Sequence, residues 1–139
     1  MAKEDWKFEH NRAAEAEWTT GLREIFEYRD LGIKAATNGD YVAHIVRSQG
    51  LPDPDEVQHW HVHHCDFQFV MVLEGWAEFE YEDQGVRRIE KGDVINQRPG
   101  IRHREIACSS DFQVLEIVSP ANFETEIVDA PKGVAEAAE

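Results

Sequence analysis

From residue 24 to residue 119 the chain alternates short β-branched and aromatic runs with turn formers. "EIFEYRDLGI", "DYVAHIVRS", "FQFVMVLEG", "WAEFEYE", "VRRIEKGDVIN" and "FQVLEIVS" have strand length and stretches of period-two alternation. "NGD", "LPDPD", "EDQG", "KGD" and "RPG" separate them. Many short strands at near-regular spacing predict an all-β sandwich or barrel, because closure removes the adhesive edges of an open sheet. In "FQFVMVLEG", turning Gln68 inward puts Val70 and Val72 on the same face and Phe67, Phe69, Met71 and Leu73 on the other. Both faces are apolar, so both are expected to be covered. The outer stripe, together with "EIFEY", predicts a homodimer in which that segment pairs onto a neighbour's sheet.

Outside this rhythm the pattern weakens. Residues 1–25 read as an N-terminal extension in which "NRAAEAEW" predicts a short helix, and residues 26–120 as the barrel. Residues 121–139 are small, acidic and poor in apolar side chains, and read as a mobile C-terminal tail.

Composition narrows the function. A chain of 139 residues is one ordinary domain with enough core to fold without disulfides. Its 28 acidic and 14 basic residues give a net charge of -14, which repels phosphate backbones and anionic lipid surfaces, so neither nucleic acid nor membrane is an expected partner. No apolar run approaches the ~20 residues of a membrane span, and "MAKEDWKFEH" lacks the apolar segment of a signal peptide. A cytoplasmic protein is expected, with Cys65 and Cys108 as free thiols.

The chemistry concentrates in "HWHVHHCDFQFVMVLEGW", residues 59–76, where four of the seven histidines fall within six positions. On a strand, His59, His61 and His63 share a face and His64 takes the other. Same-face neighbours stand roughly 6 to 7 Å apart at their roots, so two imidazoles can converge on one ion at about 2.0 to 2.2 Å. A solvated, half-exposed histidine-rich edge accounts for the local spacing equally well.

The wider spacing separates these readings. Gln68 follows His63 after four residues and Gly75 follows Gln68 after six; "KGDVINQRPGIRHRE" then supplies Gly92, Asp93, Pro99, Gly100 and His103. This resembles the cupin family, whose first motif runs Gly, five residues, HxH, three or four residues, Glu, six residues, Gly, and whose second runs Gly, five residues, Pro, one residue, Gly, two residues, His. His61, His63, Gly75, Gly92, Gly100 and His103 match in spacing, over roughly residues 40–118. The chain departs from the pattern in three places. Gln68 stands where the family has Glu, Pro99 sits one place late with Arg98 in its slot, and "DPDEVQ" replaces the opening glycine.

The resemblance implies a double-stranded β-helix or jelly-roll barrel with a metal in its mouth, bound by His61, His63 and His103, with Gln68 a weaker, neutral donor. Some cupins use three histidines alone. Three neutral imidazoles leave a divalent ion its full charge and open positions for a bidentate ligand. Fe(II) comes first among the ions that suit the set, with Zn, Ni, Mn and Cu behind it. The activity this implies is a non-haem dioxygenase acting on a small chelating substrate, a β-dicarbonyl compound or an organic acid. Two alternatives stand beside it: a metal-dependent isomerase or hydrolase, and a non-catalytic module that binds a small ligand or the metal itself.

Other polar residues have less pointed readings. His59 lines the mouth or the surface, and His64 points away. Cys65 is a buried inert thiol. His44 forms a core hydrogen bond or lines the cavity. Arg98 and Arg102 are rim charges, while Trp60 and Trp76 pack.

Overall fold

The computed structural model describes residues 3–20, 26–49 and 59–133, which form two facing antiparallel sheets. The first carries, in spatial order, β1 (Thr19–Thr20), β2 (Phe26–Asp30), β3 (Val42–Ser48), β10 (Gln113–Ser119), β5 (Phe67–Glu74) and β8 (Val94–Asn96). The second carries β11 (Glu124–Ile127), β4 (His61–His64), β9 (His103–Cys108), β6 (Trp76–Tyr81) and β7 (Gly85–Glu90). This is the expected all-β jelly-roll architecture.

The inward alternation is as predicted for β5. Gln68 and Val72 are buried and Val70 faces the space between the sheets, whereas Phe67 is 42% exposed on the outer side. Phe26, Val46, Val72, Ala77, Ile89, Phe112 and Val114 pack as one cluster that plugs one end of the barrel. The same strands run from this plug to a polar end. β6 passes from Ala77 to Tyr81, and β9, antiparallel to it, pairs Cys108 with Ala77 and His103 with Tyr81. Burial of each large apolar side chain contributes roughly 1.5–3 kcal/mol, so the plug fixes the sheets against each other and leaves the polar end free to be shaped by side chains. At the β5–β6 turn Gly75 has φ +71°, and a Cβ there would lie 2.2 Å from Ser109 Oγ and 3.0 Å from the Phe112 Cα. Glycine is required at this point because both the backbone conformation and the close approach exclude a side chain.

Three parts of the sequence reading need correction. "NRAAEAEW" forms a single 3-10 turn, Ala13–Glu15, with no buried residue, because it has no apolar stripe to dock. The first segment is nonetheless tied to the barrel: Trp6 Nε1 donates to Asp40 Oδ2 at 3.1 Å and the Lys7 amide to the Ala36 carbonyl at 2.8 Å. The barrel also continues past residue 120, since β11 pairs with β4 from Glu124↔His64 to Ile127↔His61. All four β11 residues are exposed, so no apolar alternation betrays the strand. Within "EIFEY", the described residues Phe26, Glu27 and Tyr28 take their strand partners from the same chain, Ser48, Arg47 and Val46.

Residues 24–25, the "LPDPD" turn, the "DPDEVQ" lead-in and the last six residues of the tail lie outside the described residues. Cys65 and Cys108 are free thiols. Among the described residues no helix is long and apolar enough to cross a membrane.

Candidate metal centre

His61 and His63 leave β4 on the same face, and β9 pairs with β4 at a single register point, His61↔His103. This one pairing joins the two histidine motifs. The turn carrying the second motif is tied to the first by the Gly100 amide, which donates to the His63 carbonyl at 3.2 Å, and it closes through the Ile101 amide to the Arg98 carbonyl at 3.0 Å. The imidazole centroids stand 4.2 Å (His61–His103), 5.0 Å (His63–His103) and 5.1 Å (His61–His63) apart. One ligand atom from each ring lies within 4.8 Å of the other two.

Tautomer control makes this a donor set. His61 Nδ1–H donates to the His59 carbonyl at 2.9 Å, and His103 Nδ1–H to the Ile101 carbonyl at 3.0 Å. A carbonyl only accepts, so in both rings the proton is on Nδ1 and Nε2 is the nitrogen that would meet an ion. His63 Nδ1 lies 2.8 Å from Thr125 Oγ1, a hydroxyl that can accept or donate. Metal-bound histidines are held in this way, with the far nitrogen anchored. The set fits one divalent ion.

The three rings open onto a cavity of about 340 Å³ between the sheets. Phe26, Val46, Ile89, Phe112 and Val114 form its apolar floor, and Phe123 packs edge-on against His63 at 5.6 Å near the mouth. The wall facing the histidines belongs to the first sheet. There Glu116 sits in register with His44 on one side and Val70 on the other. His44 Nε2–H donates to Glu116 Oε1 at 2.6 Å, and Gln68 Nε2 donates to Glu116 Oε2 at 2.5 Å. Burial pushes the Glu116 carboxyl up more strongly than any other single influence. The His44 hydrogen bond and charge, the Gln68 amide and the charge of His63 together outweigh it and hold the group below the ordinary carboxylate value.

A second buried group abuts the centre. Gln97 Nε2 donates to His103 Nε2 at 3.3 Å, while Gln97 Oε1 accepts from the Tyr81 hydroxyl at 3.0 Å. Tyr81 also stacks on His103, with centroids 5.7 Å apart. Burial, and then the negative charge of Glu116, push the Tyr81 hydroxyl well above its ordinary value and keep it protonated as a donor.

Of the residues singled out in the sequence, His61, His63 and His103 come together. Gln68 is 1% exposed, and its Oε1 has no hydrogen-bond partner. His44 both lines the cavity and makes a hydrogen bond. His59 is exposed and contributes its carbonyl rather than its ring, while His64 pairs with Glu126 on the surface at 2.8 Å. Burial raises the Cys65 thiol above its ordinary value, against a lowering hydrogen bond from the Phe67 backbone. Arg98 lies 3.7 Å from Glu82, and Arg102 Nη1 donates to the Asp129 carbonyl at 2.6 Å, so both are engaged at the rim. Trp60 is buried, and Trp76 lies under Arg88 at 4.0 Å. Sequence reasoning missed Glu116, Gln97, Tyr81 and Thr125. A lone charged residue in the middle of "FQVLEIVS" was the available signal for Glu116.

Comparison with known proteins agrees with this geometry. The cupin domain family model matches residues 52–118. No curated protein matches the chain by sequence. Among solved structures, the polyketide cyclase RemF from Streptomyces resistomycificus is similar at TM-score 0.62 and 13% identity, over 90% of this chain and 88% of that one. KdgF from Halomonas sp. gives TM-score 0.57 and 21% identity over 78% and 92%. Fe(II) HppE gives TM-score 0.60 and 18% identity over 80% of this chain, which spans only 59% of HppE.

Proposed function

Because the cupin domain model matches residues 52–118 and three imidazoles come together at one end of the barrel, we propose that the protein is a mononuclear metal-dependent cupin enzyme of the non-haem dioxygenase type. In this reading His61, His63 and His103 hold one divalent ion, Fe(II) ahead of Zn, Ni, Mn or Cu, and Gln68 is a further donor. The observation that carries the proposal is the opening of three clustered histidines, two of them held by backbone carbonyls, directly onto a largely apolar cavity of about 340 Å³. When bound, the ion supplies a Lewis acid and a redox centre with open coordination positions.

The chain's own residues do the remainder. The floor of Phe26, Phe112 and Val114 seats the apolar part of a small chelating substrate, such as a β-dicarbonyl compound or an organic acid, and excludes water from its reacting end. Tyr81 and Gln97 present hydrogen-bonding groups beside His103, where the polar end of that substrate lies. The imidazoles and the amide bring no charge of their own, so the ion's charge is met by the substrate.

The test is oxygen uptake by Fe(II)-loaded protein across a panel of diketones and chelating acids, after metal analysis of protein purified without added metal. Substrate-dependent uptake is expected. Tight ligand binding with neither oxygen uptake nor product would replace the enzyme with a binding module.

A further inference from the structure

The polar chain on the first sheet bears on the one ligand position where the chain departs from the cupin motif. Gln68 is 1% exposed, its Nε2 is committed to Glu116 at 2.5 Å, and its Oε1 has no hydrogen-bond partner. A buried amide oxygen without a partner costs about 1–3 kcal/mol unless something satisfies it. Gln68 also lies at the histidine end of β5. Its carbonyl accepts from the Gln97 amide at 3.0 Å, and the Gln97 side chain reaches His103. Glu116 is itself held: His44 donates to its other oxygen at 2.6 Å, and Tyr28 packs edge-on against His44 at 5.6 Å. A carboxylate only accepts, so it dictates which end of the Gln68 amide it meets.

Resting on the metal-centre reading above, we propose that Glu116, fixed by His44, is a positioning residue that orients the Gln68 amide so that its Oε1 is the fourth protein donor of the centre. The carboxylate charge common at position 68 in the family stands here one hydrogen bond further back, on Glu116. Glutamine at 68 and glutamate at 116 therefore form a matched pair. Gln68→Glu alone would set two carboxylates against each other, whereas exchanging the two residues restores a donor facing an acceptor.

The test uses Co(II) as the probe, read by titration and by its visible absorption, which strengthens when oxygen donors are lost and coordination falls toward four. The variants are Gln68→Ala, Glu116→Leu, both together, Gln68→Glu, and the exchange Gln68→Glu/Glu116→Gln. Glu116→Leu is expected to weaken Co(II) about tenfold or more and to intensify its absorption as Gln68→Ala does. The pair should add nothing to Gln68→Ala alone, because Glu116 acts only through that amide. The exchange variant should bind at least tenfold more tightly than Gln68→Glu, and it serves as the test should Glu116→Leu fail to fold. Unchanged affinity and spectrum in Glu116→Leu, additive losses, or no rescue by the exchange would each overturn the inference while leaving a three-histidine centre intact. Failure of the parent protein to bind Co(II) at all would overturn the metal-centre reading together with it.

Discussion

The two walls of the cavity are built on different principles. On the second sheet, three imidazoles are each held by a short-range or edge contact: His61 and His103 by carbonyls two residues away, and His63 by a threonine on the neighbouring strand. On the first sheet, His44, Glu116 and Gln68 hold one another across three strands through side chains alone. Backbone carbonyls cannot be mutated away and do not titrate, so the histidine wall is fixed once β4 and β9 pair. The facing wall has no such anchor, and its geometry depends on the identity of every member. The contrast assigns metal retention to the first kind of wall and tuning of the centre to the second.

The largest effect should come from breaking the histidine wall. His103→Ala removes one of the three imidazole donors, and metal analysis should show the bound ion lost from one per chain to essentially none. A His103→Ala protein that kept its full metal content would sink the assignment of the second-motif histidine.

Chelation should separate the walls within one molecule. A metal bound at a hundred times its dissociation constant stabilises the fold by about 2.7 kcal/mol, so its removal should lower the melting temperature. In hydrogen exchange the loss of protection should fall on β4 and β9, while β3 and β10, paired along six register points from Val42 to Arg47, keep theirs. Equal loss on both sheets would mean that the walls are not independent.

How far each wall could be read from the sequence follows from how it is held. HxH on a strand and a histidine three residues beyond a glycine turn are local spacings, and locality is what a sequence displays. His44 and Glu116 are 72 positions apart, and Gln68 and Glu116 are 48 apart; each is a lone polar residue in an apolar strand, and only the β3–β10–β5 register brings them together. The strands were legible where apolar side chains alternate, as in β5. They were not where a strand is polar or wholly exposed, as in β9 and β11, which is how Thr125 escaped notice although it holds a histidine of the motif.

Thr125 is also where the histidine wall borrows a side chain, so it is the wall's weakest anchor. Thr125→Val keeps the shape and removes the hydroxyl that partners His63 Nδ1. Because His63 and Thr125 are partly open to solvent, water can take the hydroxyl's place, and the expected loss of metal affinity is at the low end for such contacts, about tenfold. Isothermal titration with Zn(II) would measure it. No change would show that water already serves as well as the threonine.

The smallest effect is expected at His59, and it tests the backbone principle most directly. A strand continued from His61 would set the His59 ring on the claw's face, and the ring would then be a candidate donor. Instead β4 begins at His61, His59 is exposed in the preceding bend, and the part of it that touches the centre is its carbonyl. His59→Ala deletes the imidazole and leaves that carbonyl in place, so Zn(II) affinity should stay within about twofold of the parent, under 0.5 kcal/mol. His59→Pro makes the opposite kind of change. It retains a carbonyl but fixes φ and disfavours helical conformations of the residue before it, which can shift the carbonyl off His61 Nδ1 and weaken the metal even though no ligand has been touched. If His59→Ala instead lost metal by tenfold or more, its ring would be part of the centre and His61 would not be held by the His59 carbonyl alone.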